Sequence, residues 1–157
     1  IYLKTSVLIA GSLRHGALLA DAPEHEYNAL YEFGGYLGLA FQLQDDYLDV
    51  YGDVAEFGKN IGGDIVANKK TYMLIKALEL ADPETKEELW GWIERKEFDH
   101  EEKIKAVTMI YDRLGIKEIA FAAIDKYLKM RENAKKLGVV DSATRIYDTL
   151  RKLIDGE

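Results

Sequence analysis

The sequence predicts an all-α protein, on three observations. There are only two prolines in 157 residues. Long stretches rich in Leu, Ala, Lys and Glu repeat their apolar positions with helical period. Start and stop residues punctuate those stretches where helix ends require them. A chain of this length can bury one real core, so a single domain over residues 1–157 is expected.

The first helix is predicted over about Tyr2 to Leu19, with Leu3, Val7, Leu8, Ile9, Leu13 and Leu18 spread around it. A helix apolar on more than one face is buried inside a larger body or between subunits. The segment opens in mid-pattern, without an initiator Met, an N-cap or a leading loop, so the chain is expected to be a fragment. A short turn follows, with Asp21 as cap and Pro23 at a helix start. The second helix runs from about Glu24 to Tyr51 and ends at Gly52.

Residues Gly52 to Lys70 carry four glycines and no helical period. Loops of that length are functional or disordered. The third helix spans about Lys70 to Leu80. Asp82-Pro83-Glu84 starts a fourth, which ends near Arg95. Asp99 with Glu102 makes a capping box for a fifth, to Leu114. Gly115 breaks the pattern, a sixth helix runs from about Lys117 to Leu137, and Asp141 or Ser142 caps a last one ending near Ile154.

The second helix holds the chemistry. Phe41 to Asp53 reads FQLQDDYLDVYGD, with Gln42, Asp45, Asp46 and Asp49 at i, i+3, i+4 and i+7. At 3.6 residues per turn these side chains fall within an arc of roughly 100°. Leu37, Ala40, Leu43, Tyr47, Leu48 and Val50 make the opposite, apolar face. Gly34, Gly35 and Gly38 precede the acids on their own side and are expected to leave room above them. Three carboxylates so close repel one another unless a cation sits among them. Oxygen ligands that fill only part of a coordination sphere suit Mg²⁺ that also holds a substrate phosphate. The competing interpretation, a solvated acidic face, has to explain a helix crowded with Gly, Leu and Tyr.

Lys59 and Lys69 lie in the glycine-rich loop that follows, either side of Asp64, where compact positive charges can meet the outer oxygens of a diphosphate. Lys70 is then the solvated neighbour of Lys69. Lys4 either snorkels to the surface or reaches into a polar cavity. His15, His25 and His100 have no ligand spacing, and Trp90 and Trp92 read as core or rim of an amphipathic helix.

Composition excludes several functions. A formal charge of −7 argues against general nucleic-acid binding. Without cysteine there is no disulfide, thiolate metal site or cysteine nucleophile. No apolar run approaches the ~20 residues of a membrane span, and no signal-peptide pattern is present, so a cytoplasmic setting is expected.

The runs FQLQDDYLD, GKNIGGD and NKKT, in that order, resemble the trans-isoprenyl diphosphate synthases, the polyprenyl synthetase family that makes farnesyl and geranylgeranyl diphosphates. IYLKTSVL resembles the helix that carries that family's Lys-Thr pair. The resemblance is specific from about residue 1 to 80, and beyond that it rests on helical pattern. It implies an antiparallel all-α bundle of the isoprenoid synthase type, a homodimer, and Mg²⁺ as cofactor. Asp45 would be the main metal ligand, with Asp46 and Asp49 completing the cluster. Lys4 and Lys59 would contact the allylic diphosphate, helped by Lys69, while Thr5 and Gln42 would lie beside the reacting allylic carbon. The implied reaction joins an allylic diphosphate to isopentenyl diphosphate, head to tail. The family's first aspartate-rich motif and its following arginines are not in these residues. The chain is therefore expected to be the C-terminal half of such an enzyme and inactive alone. The alternatives are a terpene cyclase or head-to-head condensing enzyme, and a non-catalytic helical regulatory subunit.

Overall fold

The computed structural model describes residues 1–53 and 61–129, and all of its regular structure among them is helical. A π-helical turn, Tyr2–Ser6, leads into α1 (Val7–Leu19). Then come α2 (Glu24–Tyr51), the one-turn α3 (Gly63–Val66), α4 (Tyr72–Leu80), α5 (Pro83–Glu94), α6 (His100–Arg113) and α7 (Ile116–Leu128). The expected continuation of the sixth helix to Leu137 and the last helix near Ile154 lie outside the described residues.

Helix ends follow local chemistry. Asp82 Oδ1 accepts from the Thr85 N–H at 2.8 Å, with Pro83 in the first turn of α5. Asp99 Oδ1 accepts from the Glu102 N–H at 2.9 Å to open α6. Two expectations are corrected. The third helix begins at Tyr72 rather than Lys70, because Thr71 caps it through Oγ1 to the Leu74 N–H at 3.2 Å. Asp21 closes α1 instead of opening α2: at φ 53° it occupies the left-handed position, with its N–H on Leu18 O and that of Ala22 on Ala17 O. Paired bonds of that kind satisfy the last carbonyls of a helix.

The chain divides into two compact units, residues 1–44 with 123–157, and residues 45–122. In the first, the π-turn and α1 pack closely on the early part of α2. A Cβ on Gly34 would lie 2.6 Å from Ala10 Cα, and one on Gly38 would lie 2.5 Å from Ser6 Cα. Gly35 meets the Tyr2 ring, 3.2 Å from where its Cβ would stand. Contrary to the expectation from sequence, the glycines do not leave open room. They are the points where two helix backbones touch, which a side chain would prevent. Leu3, Leu8 and Leu19 are largely exposed, at 83%, 74% and 88%.

In the second unit, α6 is the central element, packed against α3, α4 and α5. Val107, Ile110 and Tyr111 on α6 are buried, as are Ile65, Met73, Leu74, Ala77 and Leu89 on its neighbours. Each fully buried side chain of this size contributes about 1.5–3 kcal/mol. Lys103 lies among them at 1% exposure.

Candidate functional site

The apolar face of α2 is buried as its period requires, through Ala40, Leu43, Tyr47 and Val50. The predicted polar residues on the other side are exposed to different degrees. Asp45 is exposed, Asp49 and Gln42 are half-buried, and Asp46 is buried at 5% exposure.

Within residues 45–122, the segment after α2 returns to it. Gly62 N–H donates to Asp49 O, and Asp64 N–H donates to Asp49 Oδ2 at 2.8 Å. Gly62 makes that return possible. Its φ of 83° is left-handed, and a Cβ there would meet Ile104 Cγ1 at 2.5 Å. α3 follows, and Lys69 Nζ reaches back to form an ion pair with the Asp64 carboxylate. Lys70 is exposed and makes no ion pair with a described residue.

Electrostatics joins these groups into one cluster. Burial, above all, pushes the Asp49 carboxyl up from its ordinary value. The hydrogen bond from the Asp64 backbone opposes this, the Asp64 carboxylate adds to it, Lys69 opposes it and Asp45 adds to it. Lys69 is pushed up chiefly by its hydrogen bond to Asp64, then by that residue's charge, with smaller help from Asp49 and Asp45. Sequence reasoning did not assign Asp64 a role. Its signal was the GGD spelling, where two glycines free the backbone to fold an acid onto the preceding helix.

The Asp49 shift has a measurable consequence. Because the folded state holds that proton to higher pH than the unfolded chain, Asp49 lowers stability as pH rises from the ordinary aspartate range through its raised value. Asp49→Asn should flatten that fall. Thermal melts of both proteins across the acidic range, with metal removed, check it: parallel curves would mean that Asp49 does not titrate as described.

Among the described residues no three acidic or imidazole side chains converge to surround a metal ion. The fit to one rests on the donor chemistry. Asp45 and Asp49 offer oxygens alone, and the Asp49 carboxyl, raised chiefly by burial, also feels the negative charge of Asp64 and Asp45. An incomplete oxygen set of that sort fits Mg²⁺, which keeps waters and takes phosphate oxygens. Asp46, being buried, is the least accessible of the three.

In the unit of residues 1–44 and 123–157, Thr5 Oγ1 donates to Gln42 Oε1 at 2.9 Å. The π-turn that presents Thr5 is a form common at functional sites. Lys4 is exposed, its ammonium making no hydrogen bond or ion pair with a described residue. Lys59 lies outside the described residues.

Comparison with known proteins matches residues 1–111 to the family model described as polyprenyl synthetase. Over 131 residues the chain is 38% identical to the short chain isoprenyl diphosphate synthase of Methanothermobacter thermautotrophicus, covering 83% of this chain and 39% of that protein. It is 33% identical over 126 residues to the geranylgeranyl diphosphate synthase of Sulfolobus acidocaldarius, covering 80% and 38%. A crystal structure of a geranylgeranyl pyrophosphate synthase matches with a TM-score of 0.82 at 36% identity, covering 94% of this chain and 49% of that one. The chain therefore spans less than half the length of these relatives. No helix among the described residues is long and apolar enough to cross a membrane.

Proposed function

The chain belongs to the polyprenyl synthetase family, and from that premise we propose that it carries the diphosphate-ionising half of an isoprenyl diphosphate synthase. The whole protein joins an allylic diphosphate to isopentenyl diphosphate, head to tail. The observation that carries this reading is the fold-back of the GGD segment onto Asp49, which brings the Lys69–Asp64 pair to the acidic face of α2.

In this reading Asp45 and Asp49 hold Mg²⁺, with Asp46 supporting them from within the helix packing. The metal supplies positive charge to a departing diphosphate. Lys69, already held beside Asp64, exchanges part of that pairing for diphosphate oxygens, and Lys4 and Lys59 add two further point charges. Positive charge gathered there acts where negative charge develops on the leaving group. Thr5 and Gln42 bring oxygen dipoles to the developing allylic cation. Because the Thr5 hydroxyl donates to Gln42 Oε1, the Thr5 lone pairs stay free for that cation. The protein works in the cytoplasm as a homodimer, for which exposed Leu3, Leu8 and Leu19 supply apolar surface to cover.

Lysine substitutions in the full-length protein test this reading. Lys69→Ala should weaken Mg²⁺-dependent binding of an allylic diphosphate by about 1.5–3 kcal/mol, the worth of a charge-assisted hydrogen bond. Lys70→Ala should change it little. Titration calorimetry giving the reverse order would refute the placement of this segment.

A further inference from the structure

Lys103 is a charged side chain buried at 1% exposure among the described residues, and nothing in the reaction proposed above uses it. Burying an ammonium costs free energy unless hydrogen bonds or other charges offset it. Here the Nζ donates to Asn68 Oδ1 at 2.7 Å and lies 4.2 Å from the centre of the Phe98 ring. No carboxylate among the described residues stands within ion-pair distance of it. Burial accordingly lowers its affinity for the proton. A lysine stem beneath a simple core would be replaceable by Leu or Met, and the polar contact it makes is specific.

That contact falls on an unusual residue. Asn68 has a φ of 51°, the left-handed conformation that most side chains avoid. It ends α3: its N–H bonds to Ile65 O at 3.1 Å, and the next N–H, from Lys69, bonds to Asp64 O at 3.0 Å. The Asn68 amide is held at both ends, since Nδ2 donates to Ile93 O at 3.0 Å while Oδ1 accepts from Lys103. The direction in which the chain leaves Asn68 decides where Lys69 starts. Lys69 is the very residue whose ammonium meets Asp64, and Asp64 is in turn bonded to Asp49. A continuous set of contacts therefore runs from the α6 core to the acidic cluster.

We propose that Lys103 is a positioning residue for the anion-binding end of the site: by anchoring the Asn68 amide it holds the left-handed turn from which Lys69 is aimed at the acidic cluster and at a bound diphosphate. The inference rests on the reading of Lys69 given under the proposed function. Lys103 touches neither substrate nor metal. Its effect passes through Asn68 and is visible only where Lys69 is present.

A double-mutant cycle in the full-length protein decides this, with inorganic pyrophosphate and Mg²⁺ as the probe and calorimetry below the melting temperature of every variant. Lys103→Met keeps the stem and removes the ammonium. It should weaken pyrophosphate binding about tenfold, the lower end of what outer partners of a site contribute. In the Lys69→Ala background it should cause no further loss. Asn68→Gly keeps the left-handed turn accessible, removes the amide, and is less buried, so it remains testable if Lys103→Met does not fold. It should reproduce the tenfold loss and the same dependence on Lys69. A purely structural lysine would lower the melting temperature and leave affinity unchanged, or lower it equally with and without Lys69. Either result overturns the proposal, as would unchanged affinity in Asn68→Gly. Failure of the unsubstituted protein to bind pyrophosphate with Mg²⁺ would instead overturn the reading of the site itself, and this inference with it.

Discussion

Replacing Asp45 by Ala in the full-length protein should lower turnover by several orders of magnitude and leave the melting temperature almost unchanged. Two features of the chain separate those effects. Asp45 is the exposed member of the acidic face, so its loss opens no cavity and breaks no core contact. It is also a source of the negative charge felt by both Asp49 and Lys69. Removing it therefore weakens the place where positive charge would gather against a departing diphosphate. Loss of a single preorganised charge-stabilising group costs about 10²–10³ in rate, and under the proposed role of Asp45 as a metal ligand its loss should cost at least that. Steady-state kinetics with an allylic diphosphate and isopentenyl diphosphate, alongside a thermal melt, check both halves. Near-normal turnover with unaltered Mg²⁺ dependence would remove Asp45 from the site.

Gly38→Ala should be among the most damaging single methyl additions to this chain. The new Cβ would stand 2.5 Å from Ser6 Cα, 2.8 Å from Ser6 Cβ and 2.8 Å from Ser6 Oγ. Ser6 is fully buried, and its backbone cannot move aside as a flexible side chain would. The π-turn must shift away from α2, at a cost of about 1–3 kcal/mol for overpacking. That shift also parts Thr5 from Gln42, whose side chains now bond at 2.9 Å. Stability and activity should therefore fall together, unlike the result for Asp45. Gly11→Ala is the control: nothing lies within 4 Å of its Cβ position, and alanine favours a helix interior by about 0.5–1 kcal/mol over glycine. Chemical denaturation of the two variants measures the difference. Equal stability for both would mean that α2 and the π-turn do not approach as closely as described.

Sequence by itself determined what local chemistry dictates. The helical period set the buried face of α2, down to Ala40, Leu43, Tyr47 and Val50. Asp82 and Asp99 cap α5 and α6 because a carboxylate two or three residues before unpaired N–H groups satisfies them. The motif order on and after α2 also identified the family. Resemblance implied that Thr5 and Gln42 serve the same carbon, but the hydrogen bond between them, 37 residues apart, came from the fold. Tertiary structure decided the rest, because packing is a property of pairs of segments and no single segment contains it. Gly34 and Gly38 read as open space until the backbone of α1 and the π-turn filled it. Asp46 matches Asp45 in the one-dimensional pattern, and only its neighbours bury it at 5% exposure. Asp64 joined the cluster because Gly62 adopts a positive φ and turns the chain back onto Asp49. Nothing in the local sequence sets Lys103 apart from the other lysine of α6, Lys105. The core around Lys103, with Asn68 and the Phe98 ring as its partners, took that charge out of water and gave it a fixed place.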